Sequence, residues 1–300
     1  MSTDDDTSYQ TPPIEADHVS EHDSTLGEDE STYTESLRSS LLQSVNENGR
    51  GYHKYRDGAY ILPEDEREQE RLDMQHQMLL NLFGQRLLLA PLERKPLHAL
   101  DLGTGTGIWA IDYADENPEC QVLGIDLSPI QPAFVPANCK FEVDDWESDW
   151  TFKQKFDVVH GRMMLTSMAD PLALFRKVYD SIAPGGWFEL QDVYMPILCD
   201  DGTMPKNCAW QRWNDTFVDC INKIGRDCGA AAQYKEWMEQ VGFENCEEHK
   251  YKLPINSWPK NRRCKSSKKF VSIPRHGLLA FIERHCSTCP SSNVNALLVY

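Results

Sequence analysis

The sequence predicts an α/β fold in which helices cover both faces of a doubly wound, mostly parallel sheet. Three observations carry this expectation. Short apolar runs alternate with helical stretches from residue 97 to about 193. A glycine-rich turn follows the first run, in "HALDLGTGTGIWA". Acidic residues close the first three runs in succession. Strands alternating with helices in this way favour a parallel sheet with right-handed crossovers.

Residues 1–48 contain few large apolar groups, and residues 1–36 hold eleven acids with no Lys or Arg. Such a segment cannot bury enough surface to offset the entropy of ordering, so disorder is expected there. Folded structure is expected from about residue 49. Tyr52, Tyr55 and Tyr60 precede a helix start at Pro63, Glu64 and Asp65, where acids suit the positive end of the macrodipole. Leu72, Leu79, Leu80, Phe83 and Leu87 recur at helical spacing, giving an N-terminal helical cover with one buried face.

Strands are expected in "LHALDL", "QVLGIDL", "CKFEVDD", "FDVVHGRM" and "WFELQDV". Helices are expected over 107–115 and over about 170–183, the latter ending at "PGG". Residues 205–242 read as two further helices, the second stopping at Gly242. "EEHKYKLPI" is a candidate sixth strand.

With 300 residues, 40% of them apolar, and eight tryptophans, the chain can bury a substantial core. A net charge of −17 argues against a direct nucleic-acid binder, which needs a basic face for the phosphates. No apolar span suits a membrane, and the acidic first residues are unlike a targeting segment. Ten cysteines without a framework of spacings fit reduced thiols, so a cytoplasmic or nuclear location is expected. Cys286 and Cys289, near His285 and Cys264, have ligand spacing, but a lone pair of this kind is weak, and no metal is expected.

The glycine turn carries the chemistry. Ligands of open α/β sheets bind beyond the carboxyl ends of the strands, where this turn falls. A phosphate loop needs a lysine after its last glycine, and none follows. A dinucleotide fingerprint needs Gly or Ala where Ile108 stands. The residues instead present Asp101 followed by Gly103, Thr104, Gly105 and Gly107. An acid beside a glycine turn suits a ligand bearing ammonium and sulfonium charges and no pyrophosphate, and S-adenosylmethionine is such a ligand; taken alone, the turn also reads as a plain tight turn.

Asp126 and Leu127 close the second strand, nineteen residues past Gly107. Asp126 reads as an acceptor for two ribose hydroxyls, or else as a cap for the next helix. Asp144 and Asp145 end the third strand, and either carboxylate suits an adenine amino group. Trp146 reads as an adenine cover or as ordinary core. His160 and Arg162 end the fourth strand. His160 reads as a general base or as a structural histidine, and Arg162 as an anion ligand or a packing residue. Trp210, Trp213 and Phe217 share one helical face, as an acceptor wall or as core.

These motifs resemble the class I S-adenosylmethionine-dependent methyltransferases, Rossmann-like in fold, and among them the fungal LaeA-like family. "LDLGTGTGIWAIDYA", "VLGIDLSPIQP", "DDWESDW" and "LAPGGWFELQD" carry the general resemblance. "GYHKYRDGAYILPEDEREQERLDMQH" and "FDVVHGRMM" carry the family-specific part, and together they span roughly residues 46–258. The resemblance implies that Asp101 and the glycines line the methionine end, Asp126 the ribose, and Asp145 with Trp146 the adenine. It places Tyr55 and Arg56 in a cover over the cofactor.

The resemblance fades after "NSWPK". Residues 250–300 hold ten Lys or Arg and one acid, Glu283. Two readings of residues 259–300 stand side by side: a tail foreign to the fold, through a frameshift, retained intron or unusual splice, or a divergent tail whose last strand is "NALLVY". The expected activity is methylation of a small-molecule acceptor in fungal secondary metabolism. The alternative is a nuclear regulator of secondary metabolism working with protein partners, which the acidic head and "KNRRCKSSKK" suit. A nicotinamide-dependent oxidoreductase is disfavoured by Ile108.

Overall fold

The computed structural model describes residues 44–47, 49–53, 60–199, 202–254 and 294–299. Strands β1 (Ser44–Glu47) and β2 (Arg50–His53) pair antiparallel around Gly49, whose φ of 76° turns the chain. The described structure therefore begins within the segment expected to be disordered. Short-range pairing of β1 with β2 gives strand structure to Ser44–Glu47 despite the polar composition there.

Helix α1 (Glu66–Phe83) follows. Asp65 is its N-cap: Oδ1 accepts the Glu68 N–H at 3.0 Å, while Arg50 of β2 donates to both carboxylate oxygens. That guanidinium, with the Glu68 N–H, lowers the Asp65 pKa to about 2. A depressed carboxyl stabilises the fold above its unfolded pKa, near 4, and that contribution fades as pH falls toward 2. Asp65→Ala is expected to cost about 1–2 kcal/mol at neutral pH. Urea melts at pH 7 and near pH 2 check this, because the gap between wild type and variant must close in acid.

The central sheet contains β3 (His98–Leu102), β4 (Gln121–Asp126), β5 (Cys139–Val143), β6 (Phe156–Arg162) and β7 (Ile182–Cys199). Strands β8 (Lys250–Pro254) and β9 (Val294–Val299) complete it. The order is β5-β4-β3-β6-β7-β9-β8. Strands β5 to β7 pair in parallel, and β9 runs antiparallel to both its neighbours. The strand read in "NALLVY" thus lies between β7 and β8, and the sheet is not short of it. The remaining tail, with its cysteines, falls outside the described residues, as do residues 1–43.

Helices α2 (Ile108–Glu116), α3 (Pro171–Ser181), α4 (Ala209–Lys223) and α5 (Tyr234–Val241) fill the connections. A single 3-10 turn, Ala230–Gln233, leads into α5. On one side of the sheet, Trp109, Ala110, Tyr113 and Leu87 pack on Ala99, Val122 and Val158. On the other, Leu174, Phe175, Val178 and Tyr234 pack on Leu100, Val159 and Leu190. Each fully buried aliphatic or aromatic side chain contributes roughly 1.5–3 kcal/mol, so these two layers dominate stability.

One boundary differs from expectation. Helix α3 stops at Ser181, and β7 already begins at Ile182, running through "PGG". The β6–β7 register shifts between Phe156 and Val158, and Gly185 takes a φ of 77°. A Cβ on Gly186 would lie 2.9–3.0 Å from the carbonyls of Ala183, Asp157 and Phe156. The glycines therefore make a bulge inside a long strand rather than a break before one.

Candidate active site

The winding reverses between β3 and β6, the place where open sheets bind ligands. A cavity of about 550 Å³ opens there, well within the range of small-molecule sites. Asp101, Gly103, Thr104, Gly105, Asp126, Leu127, Asp145, Trp146, His160 and Arg162 all line it. Residues far apart in sequence, each placed by a strand end, meet as one wall.

Asp101 is buried between two donors. Thr104 Oγ1 donates to Oδ2 at 2.6 Å, and His160 Nδ1 lies 2.7 Å from Oδ1. The His160 ring stacks on the Trp109 indole at 3.7 Å, 7° from parallel, and Trp109 stacks on Tyr113. Its Nε2 is buried and has no partner among the described residues. His160 thus faces Asp101, its register partner on β3, and orients that carboxylate.

Asp126 holds the glycine turn. Its Oδ2 accepts the Gly105 N–H at 2.8 Å and its Oδ1 the Ser128 N–H at 2.9 Å. Burial raises its pKa, against which the two N–H groups and His53 work. Tyr60, facing it from the N-terminal segment, is pushed up by burial and by the Asp126 and Glu68 carboxylates. Trp146 belongs to the sheet's core cluster and also faces the cavity, 3.9 Å from where a Cβ on Gly103 would stand.

Two expected residues stand elsewhere. Gly107 does not line the cavity. It takes a φ of 80° as the N-cap of α2, and an added Cβ would lie 2.4 Å from Cζ of Phe141 on β5. Packing of the helix on the sheet explains this glycine. Asp144 is also absent from the wall: its Oδ1 accepts the Asp145 N–H at 2.8 Å, a local turn bond. Asp145 in turn accepts from the Glu147 N–H and the Ser148 hydroxyl. Tyr55 and Arg56 lie outside the described residues.

The roof comes from α1, whose periodicity gave it a buried face without saying against what. Leu72 lies 3.5 Å from the Cβ position of Gly105, and Thr106 Oγ1 donates to Asp73 Oδ1 at 2.8 Å. His76 is fully buried: Nε2 donates to Asp112 at 2.9 Å, and Nδ1 accepts from both terminal nitrogens of Arg162 at 3.1 Å. Because guanidinium only donates, these contacts fix the imidazole tautomer. Phe217 of α4 reaches the cavity, while Trp210 and Trp213 do not. All three are half-buried outside the core clusters, Trp210 meeting Trp213 edge to face and Trp213 stacking on Phe217.

The donor set decides which cofactor fits. Seven acids (Glu64, Glu68, Asp101, Asp126, Asp145, Glu147 and Asp192) face three arginines (Arg50, Arg71 and Arg162) around the cavity. That balance suits a cationic ligand with hydroxyl and amino donors and opposes a pyrophosphate. No group of three or more His, Cys, Asp or Glu able to hold a metal occurs among the described residues. No helix among them is long and apolar enough to cross a membrane.

Topology and acidic wall together define a class I, Rossmann-like methyltransferase that uses S-adenosylmethionine. A family model described as a methyltransferase domain matches residues 74–248. The methyltransferase pytC of Aspergillus terreus is 40% identical over 239 residues, covering 79% of this chain and 74% of pytC. The secondary metabolism regulator LAE1 of Cochliobolus heterostrophus is 35% identical over 233 residues, 76% of each chain. The secondary metabolism regulator laeA of Aspergillus fumigatus is 37% identical over 220 residues, 71% of this chain and 57% of laeA. The chain belongs to the LaeA-like family of methyltransferases.

Proposed function

We propose that this enzyme methylates a small molecule of fungal secondary metabolism. The observation that carries the reading is the cavity at the β3–β6 switch, in which the acidic cofactor wall continues into an apolar chamber. S-adenosylmethionine supplies an activated methyl group on a sulfonium. The protein's work is alignment and exclusion of water, and good alignment alone is worth about 7–11 kcal/mol. In this reading Asp126 and Leu127 hold the ribose, and Asp145 with Trp146 holds the adenine. Asp101, oriented by His160 and Thr104, lines the methionine end with Gly103 and Gly105. Arg162, steadied by His76, faces the carboxylate of the methionine moiety. Tyr55 and Arg56 belong to the cover.

Similarity to pytC supports a pathway enzyme, whereas similarity to LAE1 and laeA supports a second reading. In that reading the protein is a nuclear regulator acting with protein partners. The first places it in the cytoplasm or nucleus without direct contact to nucleic acid or membrane. Metabolite profiles of a deletion strain separate them: one missing methylated product marks a pathway enzyme, and loss of many unrelated products marks a regulator.

Calorimetry tests the cofactor site itself. S-adenosylmethionine is expected to bind and NAD to give no heat. The reverse result would sink the acidic-wall argument.

A further inference from the structure

The far side of the cavity has a different chemistry. Met74 and Met78 of α1, Met163 and Met164 after β6, Met195 of β7 and Phe217 line the cavity. Thioether side chains are unbranched and polarisable, and they mould to apolar ligands of varied shape. Strand spacing sets the distances. Asp126 ends β4 and Asp192 stands on β7, three strands away, or about 14 Å at ~4.8 Å per strand. Asp192 is therefore on the acceptor's side of the reacting centre. It is 1% exposed, yet lines the cavity, and accepts the Val193 N–H at 2.8 Å and the Tyr234 O–H at 3.0 Å.

We propose that Asp192 is the proton acceptor of the transfer, and that the methyl acceptor is a neutral, apolar molecule presenting a hydroxyl group. The inference rests on the small-molecule reading and deepens it. A carboxylate would be repelled by Asp192, and an ammonium must shed its hydration among the methionine side chains and has no lone pair to take the methyl. A hydroxyl enters uncharged. Its oxygen forms the new C–O bond as the C–S bond breaks, the electron pair stays on sulfur, and the hydroxyl proton passes to the Asp192 carboxylate. The step thus removes one positive and one negative charge together, so no net charge is left on the reacting groups.

The surroundings of Asp192 suit this work. Burial raises its pKa to about 7, while the Val193 N–H, the Tyr234 hydroxyl and the backbone N–H groups of Leu165 and Met164 pull the other way. Tyr234 is the titratable group facing it from the helical layer, with Asp227 acting on Tyr234 in turn. On its own strand it is flanked by Gln191 and Val193, and its partner on β9 is Val299. Arg162, in register with Gln191 on β6, is directed to His76. A base titrating near the working pH is the efficient kind, and general-base catalysis contributes about 10²–10⁴-fold.

Three probes test the chamber of the S-adenosylhomocysteine-loaded protein by calorimetry: 2-naphthol, 2-naphthoate and 2-naphthylmethylamine. 2-Naphthol is expected to bind at least about tenfold tighter than either charged probe, and to be methylated with S-adenosylmethionine. Asp192→Asn is expected to lower kcat for 2-naphthol by about 100-fold or more with unchanged S-adenosylmethionine affinity. Carboxyl ¹³C NMR should show one aspartate titrating near pH 7 in the wild type and not in Asp192→Asn. Tyr234→Phe keeps the carboxylate but removes a hydrogen bond that lowers its pKa, so the NMR midpoint and the pH–rate profile should move up together. A merely structural Asp192 would not link them. The proposal is overturned if Asp192→Asn keeps its rate, if the two titrations move independently, or if a charged probe binds best. If none of the three probes binds the loaded protein, the small-molecule reading fails as well.

Discussion

Asp126→Ala is expected to weaken S-adenosylmethionine binding by at least about tenfold, and by up to about one hundredfold. The carboxylate is the group proposed to accept both ribose hydroxyls, and a hydrogen bond to a charged group is worth about 1.5–3 kcal/mol. It also carries the Gly105 and Ser128 N–H groups that shape the glycine turn, so the alanine variant loses the cradle as well as the acceptor. Asp126→Asn keeps one carbonyl acceptor and should lose less. Because burial raises this carboxyl's pKa, cofactor affinity should fall on acidification earlier than an ordinary aspartate would impose. Calorimetry over a pH series measures both effects. An affinity within threefold of wild type in Asp126→Ala would show that the ribose is held elsewhere.

Gly107→Ala should instead damage the fold. Its φ of 80° is unfavourable for any residue with a Cβ, at about 1–2 kcal/mol. The new methyl would also sit 2.4–3.1 Å from three atoms of the Phe141 ring, and overpacking of this kind costs about 1–3 kcal/mol more. The ring also lies close over Gly124, where a Cβ would stand 2.6 Å from Cδ1. At roughly 2–4 °C per kcal/mol, a fall in Tm of about 5–15 °C follows. Phe141→Leu in the same chain should recover part of it. Gly103→Ala offers the contrast. Its Cβ would be 3.9 Å from its nearest neighbour, so it carries backbone strain but no clash. It should lower cofactor affinity more than Tm. Equal effects of the two substitutions on both readouts would mean that the distinction between packing glycine and cofactor glycine is wrong.

That distinction shows where sequence reading stops. "GTGTG" presents three alternating glycines with no local mark to separate them. Gly103 and Gly105 line the cavity, while Gly107 yields to a phenylalanine 34 residues further on. The "DD" of "EVDDW" has the same ambiguity: one carboxylate reaches the wall and its neighbour closes a turn. Asp192 carries no mark of its own in the sequence, where "LQDV" reads as the end of one more buried strand. Only Tyr234, brought over by α5, and the cavity beside it make that carboxylate chemical.

The order of apolar runs, their helical partners and the acids that end them are local properties, and strand periodicity with turn chemistry is enough to settle them. They determined the parallel sheet, the glycine turn at its carboxyl edge, and a cofactor that is cationic rather than a pyrophosphate. The roof over that edge, the floor of His160 on Trp109, and the insertion of β9 between β7 and β8 were decided by tertiary structure. The reason is distance along the chain. Asp101 meets His160 across 59 residues, and Tyr234 meets Asp192 across 42. Partners so far apart are chosen by how the layers pack, which no short stretch of sequence encodes.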